Sequence, residues 1–138
     1  MTQLIEHSLT VHYSLLTEIK ITMNHKNLDV WKMSMSLVEV VYALTADFPD
    51  TERYGLISQM RRSAVSIPSN IAEGTARKSD KELIQFIYIA LGSVAELETQ
   101  YLIAVRLNFC KESQNAEQLI NETRKLLIGF RNYIKSKE

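Results

Sequence analysis

Histidine, cysteine, proline and glycine are all scarce in this chain, and each scarcity removes a class of protein. Three histidines and one cysteine occur in 138 residues. Cys110 cannot form an intramolecular disulfide, and no CxxC or clustered Cys/His spacing offers a zinc site. A lone thiol fits the reducing cytoplasm, and its simplest reading is a small, partly buried side chain near a helix end. His7 and His12 fall in the N-terminal stretch, which leaves His25 alone beyond it. Nucleophile systems of the Ser/His/Asp or Cys/His kind therefore lack their base, and a di-metal bundle lacks its Glu-x-x-His pairs. No GxxxxGK[ST] or GxGxxG loop is present to cradle phosphates. Four glycines and two prolines are too few for the many turns of a sandwich or barrel, and they favour long helices. Charge of one sign is absent too: 16 Lys and Arg balance 16 Asp and Glu, so bulk electrostatics gives no support to nucleic-acid binding. No run approaches the roughly 18 apolar residues of a membrane span. The N-terminus lacks the basic segment and compact apolar core of a signal peptide.

What remains is ordinary for a folded domain: 46% hydrophobic and 23% charged residues, enough to bury one core. Residues 1–22 differ from the rest. Leu4, Ile5, Leu9, Leu15, Leu16 and Ile19 are scattered among Thr, His and Ser without a sustained period. Met23 then opens a stretch that reads as a natural start. The expectation is a peripheral N-terminal extension over 1–22 and a helical bundle domain over 23–138.

Four helices are predicted. The first runs from about Leu28 to Asp47, with Trp31, Met35, Val38, Tyr42 and Thr45 on its apolar stripe and Val41 and Leu44 widening it. Phe48-Pro49-Asp50 ends it, because a pre-proline residue is pushed out of the α region. Thr51 is the expected N-cap of the second helix. On that helix Leu56, Ile57, Met60, Ala64, Ile67 and Ile71 share one face, while Tyr54, Val65 and Ala72 lie on a second apolar strip. Two strips exceed what one neighbour covers. Pro68 interrupts the hydrogen-bond ladder, but the apolar positions keep phase across it, so a kinked continuous helix is expected. Ser66 and Ser69 are candidates to satisfy the freed backbone groups, and Gly74 to stop the helix. Ser79-Asp80-Lys81-Glu82 reads as a capping box that opens a third helix reaching about Asn108. Leu83, Phe86, Ile87, Ala90, Val94, Leu97, Tyr101, Ala104 and Val105 mark its buried face. A glycine at mid-helix, Gly92, predicts a close helix approach there. The fourth helix spans about Gln114 to Lys135, its stripe running from Ala116 through Ile120, Thr123 and Leu127 to Ile134. Short connections between four such helices imply an all-α, up-down-up-down antiparallel four-helix bundle.

Chemistry is hard to find in this pattern. Glu73 beside Gly74 and the Glu96/Glu98 pair are carboxylates that acid–base work needs, but a helix end and a solvated flank explain them more simply. The reading is of a protein that is not an enzyme and holds no metal or cofactor. The basic residues of 51–82 are weighed separately. Arg53, Arg61, Arg62, Arg77, Lys78 and Lys81 face Glu52, Glu73, Asp80 and Glu82, a local excess of two positive charges. Arg61, Arg62, Arg77, Lys78 and Lys81 are candidate contacts for RNA, DNA or a protein partner. Ion pairing within or between subunits is the competing reading, since arginine's planar fork suits it. Tyr54, Arg61, Val65 and Ala72 are the candidate subunit interface. No aromatic residue is interleaved with these charges in sequence, so no stacking platform for single strands is evident.

The string YGLISQMRRSAVSIPSNIAEGTARKSDKELIQFIYIALGSVAELETQ resembles the bacterial four-helix bundle proteins encoded in intervening sequences of 23S rRNA genes. LDVWKMSMSLVEVVYALTADFP is similar to that family's first helix and Phe-Pro turn. The resemblance covers roughly Leu28 to Phe109, and the fourth helix matches in kind only. It implies a four-helix bundle, with homopentameric rings known among members. It also implies similarity to the accessory variability proteins of diversity-generating retroelements, which are pentameric, bind nucleic acid and partner a reverse transcriptase. Two readings of function stay open: an oligomeric helical scaffold engaging a partner, or a binder of structured RNA or DNA through helix two and the loop after it.

Overall fold

A computed structural model describes residues 23–137, and Gln3 apart from them. The expected extension over 1–22 lies outside the described residues. Four long helices make up the fold: α1 (Asp29–Thr45), α2 (Leu56–Thr75), α3 (Asp80–Arg106) and α4 (Gln114–Ser136). Single 3-10 turns at His25–Asn27 and Asp50–Glu52 precede α1 and α2. No strand occurs among the described residues.

Each helix packs on the next, and α1 packs on α4 to close the square. Cross-helix contacts fix the directions. Lys135 reaches Tyr88, and Arg124 reaches Glu98; eleven residues back along α4 correspond to ten forward along α3, so the pair is antiparallel. Helices α2 and α3 run antiparallel likewise, since Ser66 bonds Ser93 and Gly74 lies against Leu83 and Phe86.

Local chemistry sets most of the ends. Ser79 caps α3 by accepting from the Glu82 amide at 3.2 Å, and its hydroxyl donates to the Glu82 carboxylate at 3.0 Å, close to the expected capping box. Ser113 caps α4 by accepting from the Ala116 amide at 3.2 Å. The end of α3 is a Schellman turn built on asparagine: Asn108 has φ 61°, and the Phe109 amide donates to the Ala104 carbonyl at 2.9 Å. Asparagine is one of the few residues that adopts this left-handed conformation readily. The Ser113 amide donates to the Tyr101 hydroxyl at 2.7 Å and pins the α3–α4 connection to the core.

The start of α2 differs from expectation. Thr51 lies in the 3-10 turn, and the helix begins at Leu56, whose amide donates to the Glu52 carboxylate at 2.9 Å. A carboxylate reaching across one turn serves where an N-cap hydroxyl was expected, and it also suits the positive helix end.

The core is apolar and continuous, and its largest fully buried side chains include Tyr101, Leu37, Met60, Ile67, Ile71 and Ile87. Helices α2, α3 and α4 bury the faces that their periodicity predicts. Helix α1 is rotated by about one position from expectation. Val30, Ser34, Leu37, Val41 and Thr45 face inward, whereas Trp31 and Val38 are half-buried and Met35 and Tyr42 are exposed. Ser34 masks this line in the sequence: it sits in the core with its hydroxyl donating to the Trp31 carbonyl at 2.8 Å.

Helix α2 is one helix through Pro68, which is itself buried. The Ser66 hydroxyl is engaged with Ser93 at 2.8 Å and accepts from Asn70 at 2.9 Å. Its polar group therefore links α2 to α3 instead of answering the carbonyl freed by the proline. Neither glycine has the role its position in the sequence suggests. Around Gly92 an added Cβ would meet nothing within 4 Å. At Gly74 it would lie 2.7 Å from Phe86 Cβ and 3.0 Å from Leu83 Cδ1. Gly74 lies within α2, which continues to Thr75; it is the point of closest approach to α3.

Candidate interaction surfaces

The carboxylates and thiol that chemistry would need are committed to structure. Glu73 pairs with Arg77 at 2.9 Å, Glu98 with Arg124 at 2.9 Å, and Glu96 accepts from Gln100 at 3.2 Å. His25 packs edge-on against Trp31, with ring centroids 5.4 Å apart. Burial pushes the Cys110 thiol above its ordinary value, which disfavours the nucleophilic thiolate. Among the described residues no three His, Cys, Asp or Glu side chains gather as a metal would require. A concavity between α3 and α4 lined by Glu98, Tyr101, Leu102, Glu117, Ile120 and Asn121 holds about 220 Å³, and a more open one lined by Asp29, Lys32, Met33, Ser36 and Leu126 about 410 Å³.

The structure divides the basic residues singled out from the sequence between the two ends of the bundle. Arg61, near the start of α2, closes the end of α1. Its Nε donates to Thr45 Oγ1 at 2.9 Å, its Nη2 to the Tyr42 carbonyl at 3.4 Å, and its guanidinium lies 4.5 Å from the Tyr42 ring centroid. A cation at a helix C-terminus meets the negative end of the dipole. Arg62, one residue on, points to solvent. Arg77 lies sixteen residues beyond Arg61, about 24 Å along a helix, where it pairs with Glu73 and covers the Phe86 ring at 5.0 Å. Lys78 and Lys81 beside it are exposed. Arg61 and Arg62 therefore do not join Arg77, Lys78 and Lys81 in one patch.

What does join the second group is the end of α4. Because α3 and α4 are antiparallel, Arg131 and Lys135 come beside the first turns of α3. Lys135 Nζ donates to the Tyr88 hydroxyl at 2.7 Å and lies 5.2 Å from that ring's centroid, with the Arg131 guanidinium 5.6 Å from it. The hydrogen bond from Lys135, with the charges of Lys135 and Arg131, holds the Tyr88 phenol below its ordinary range. Lys137 lies 4.6 Å from the exposed Tyr133 ring. Aromatic rings are thus interleaved with cations here, Tyr88 with cations of the next helix and Tyr133 with Lys137 one turn along its own. The spacing of Arg131 and Lys135, one turn apart, combined with antiparallel pairing, is the only signal in the sequence that leads to this cluster.

Apolar surface is exposed along the strip that the sequence suggests and also on a second element. Of the second strip, Tyr54, in the turn just before α2, is 92% exposed, Val65 on the helix is 39% exposed, and Ala72 is half-buried. Helix α3 presents more. Tyr88, Ile89, Leu102 and Ile103 are all exposed on its outer face, and Gly92, Ala95 and Thr99 lie between them. These positions recur at the three- and four-residue spacing of one helical face.

The sequence model of the 23S rRNA-intervening sequence protein family matches residues 26–129. The chain belongs to that family. The match takes in all of α1, α2 and α3 and most of α4, so membership in the 23S rRNA-intervening sequence protein family extends well beyond the strings that carry the resemblance. No curated protein matches the chain. Among the described residues of this family member no helix is long and apolar enough to cross a membrane.

Proposed function

We propose that this 23S rRNA-intervening sequence protein is a non-enzymatic helical scaffold of the reducing cytoplasm. It assembles with copies of itself and presents the assembled bundles to a partner. The carrying observation is the outer face of α3, where Tyr88, Ile89, Leu102 and Ile103 are each 42–51% exposed. Contiguous exposed apolar surface of this kind marks an interaction site. The small residues between them, Gly92, Ala95 and Thr99, let a second helix approach closely. A ring of five is the expected state, following the family resemblance.

The second strip of α2 is the competing face, favoured by the exposed ring of Tyr54. Sedimentation of the full chain separates these readings. Ile89→Asp with Ile103→Asp is expected to shift the protein to monomer at micromolar concentration, while Val65→Asp leaves most of the assembly intact. The reverse order moves the interface to α2. A wild-type protein that sediments as a monodisperse monomer contradicts the scaffold.

A further inference from the structure

Beyond self-assembly, we infer that one end of the bundle, centred on the α3–α4 groove at Lys81, Tyr88, Arg131 and Lys135, binds the phosphate backbone of nucleic acid. Charge is the first reason. The chain is neutral in total, but antiparallel packing sorts its charges. The start of α1, the α2–α3 loop and the end of α4 meet at one end. Together with Lys26 and the first turn of α3, which carries Lys81, they bring eight basic side chains of the described residues there, against the carboxylates of Asp29, Glu73, Asp80 and Glu82. Glu73 is already engaged by Arg77.

The second reason is how the cations of the groove are held. Arg131 and Lys135 stand one turn apart on α4, where like charges repel. Further along the same helix pair, α3 answers Arg124 with a carboxylate, Glu98, at 2.9 Å. Opposite Arg131 and Lys135 it supplies a phenol, Tyr88, instead. Among the described residues neither cation meets a carboxylate. Tyr88 holds Lys135, and Asn132 Oδ1 accepts from Arg131 Nε and Nη2 at 3.3 and 3.2 Å, so the partners that hold the two cations are neutral groups. A packing role alone would be served as well by a glutamate.

The third reason is shape. From Lys81 on α3 to Tyr88, where the Arg131 and Lys135 cations lie, is seven residues of helix, roughly 10 Å. That matches several successive phosphates on one strand of a duplex, spaced about 3.4 Å along the axis. The exposed rings of Tyr88 and Tyr133, each with a cation on it, offer surfaces for a ribose or base edge. The cations follow the line between two helices, which favours a polymer strand over a flat anionic lipid surface.

Fluorescence anisotropy of the full chain with a labelled RNA hairpin and a duplex DNA of equal length tests the inference. About four phosphate contacts predict an affinity that falls on the order of 100-fold between about 50 and 200 mM salt. Arg131→Gln with Lys135→Gln should weaken binding and lower the slope of log affinity against log salt by about 2 units. Arg61→Ala with Arg62→Ala, at the other end, should leave both unchanged. Lys78→Gln with Lys81→Gln is a second variant at exposed positions, and it should act in the same direction. Melting curves must show each variant folded. Hairpin and duplex results separate RNA from DNA as the preferred polymer. Three outcomes overturn the inference: no binding at about 50 mM salt, binding indifferent to both glutamine pairs, or binding to anionic vesicles with none to either polymer.

Discussion

Replacing Gly74 by alanine should destabilise the protein, although alanine is the better helix former. An alanine Cβ at this site lies 2.7 Å from Phe86 Cβ and 3.0 Å from Leu83 Cδ1. The Leu83 methyl ends a flexible side chain and can turn away. Phe86 Cβ is fixed to its own backbone, so no rotamer change relieves that contact. The end of α2 and the start of α3 must instead separate by about 0.7 Å to regain an ordinary contact near 3.4 Å. Overpacking of this kind costs about 1–3 kcal/mol. The gain in helix propensity is about 1 kcal/mol, so the net expectation is a loss of about 0–2 kcal/mol, centred near 1.

Gly129→Ala supplies the control. Gly129 is exposed in the middle of α4, and an added Cβ meets nothing within 4 Å. Only the propensity term acts there, so a gain of about 0.5–1 kcal/mol is expected. Urea unfolding followed by circular dichroism reads both variants, with protomer concentration held fixed because assembly would otherwise shift the midpoint. Opposite signs are the expected result. A Gly74→Ala protein as stable as Gly129→Ala would refute the close approach of α2 and α3.

Three further outcomes follow from named contacts. Glu52→Ala removes the carboxylate that accepts from the Leu56 amide and should lower stability by about 1 kcal/mol, whereas Thr51→Ala should be nearly silent. Burial raises the Tyr101 phenol above its reference of 10.0. The folded state therefore favours the protonated form, so this contribution is complete below pH 10.0 and is lost as pH rises beyond it; Tyr101→Phe should flatten the alkaline limb of a stability–pH curve while lowering stability at neutral pH. Lys135→Met should return the Tyr88 phenol toward its ordinary range, visible as a loss of the earliest tyrosinate absorbance in an alkaline titration. An unchanged titration would mean that Lys135 does not hold Tyr88 in solution.

What the sequence reveals is what local chemistry decides. The Ser79–Glu82 box and the stripes of α3 and α4 need only a helix and its period, and they are legible for that reason. Helix α1 misleads because its core line contains Ser34, a small polar residue whose hydroxyl is satisfied by its own helix, while the larger apolar residues flank it. Gly74 and Gly92 mislead because the use of a glycine depends on the neighbouring helix, which no single segment displays. Tyr88 and Lys135 stand forty-seven residues apart, and only the register of α3 against α4 brings them together. At Tyr88, a ring and cations that are distant along the chain are brought together in space.

Neutral net charge is a poor guide to this surface, because an antiparallel bundle sorts its residues by end, whatever their order in the chain. Tyr88 belongs both to the apolar face of α3 and to the basic groove, so the assembly and the polyanion binding proposed above are expected to be thermodynamically linked. Ile103 lies fifteen residues from Tyr88, about 22 Å along the helix. An interface centred at Leu102 and Ile103 leaves the groove open, and assembly then gathers several basic ends on one side and strengthens binding. An interface centred at Tyr88 and Ile89 covers the groove, and nucleic acid must then dissociate the assembly. Linkage is reciprocal, so sedimentation with and without the RNA hairpin reads the sign directly. Larger assemblies in its presence place the subunit contact at the Ile103 end of α3; smaller ones place it at Tyr88.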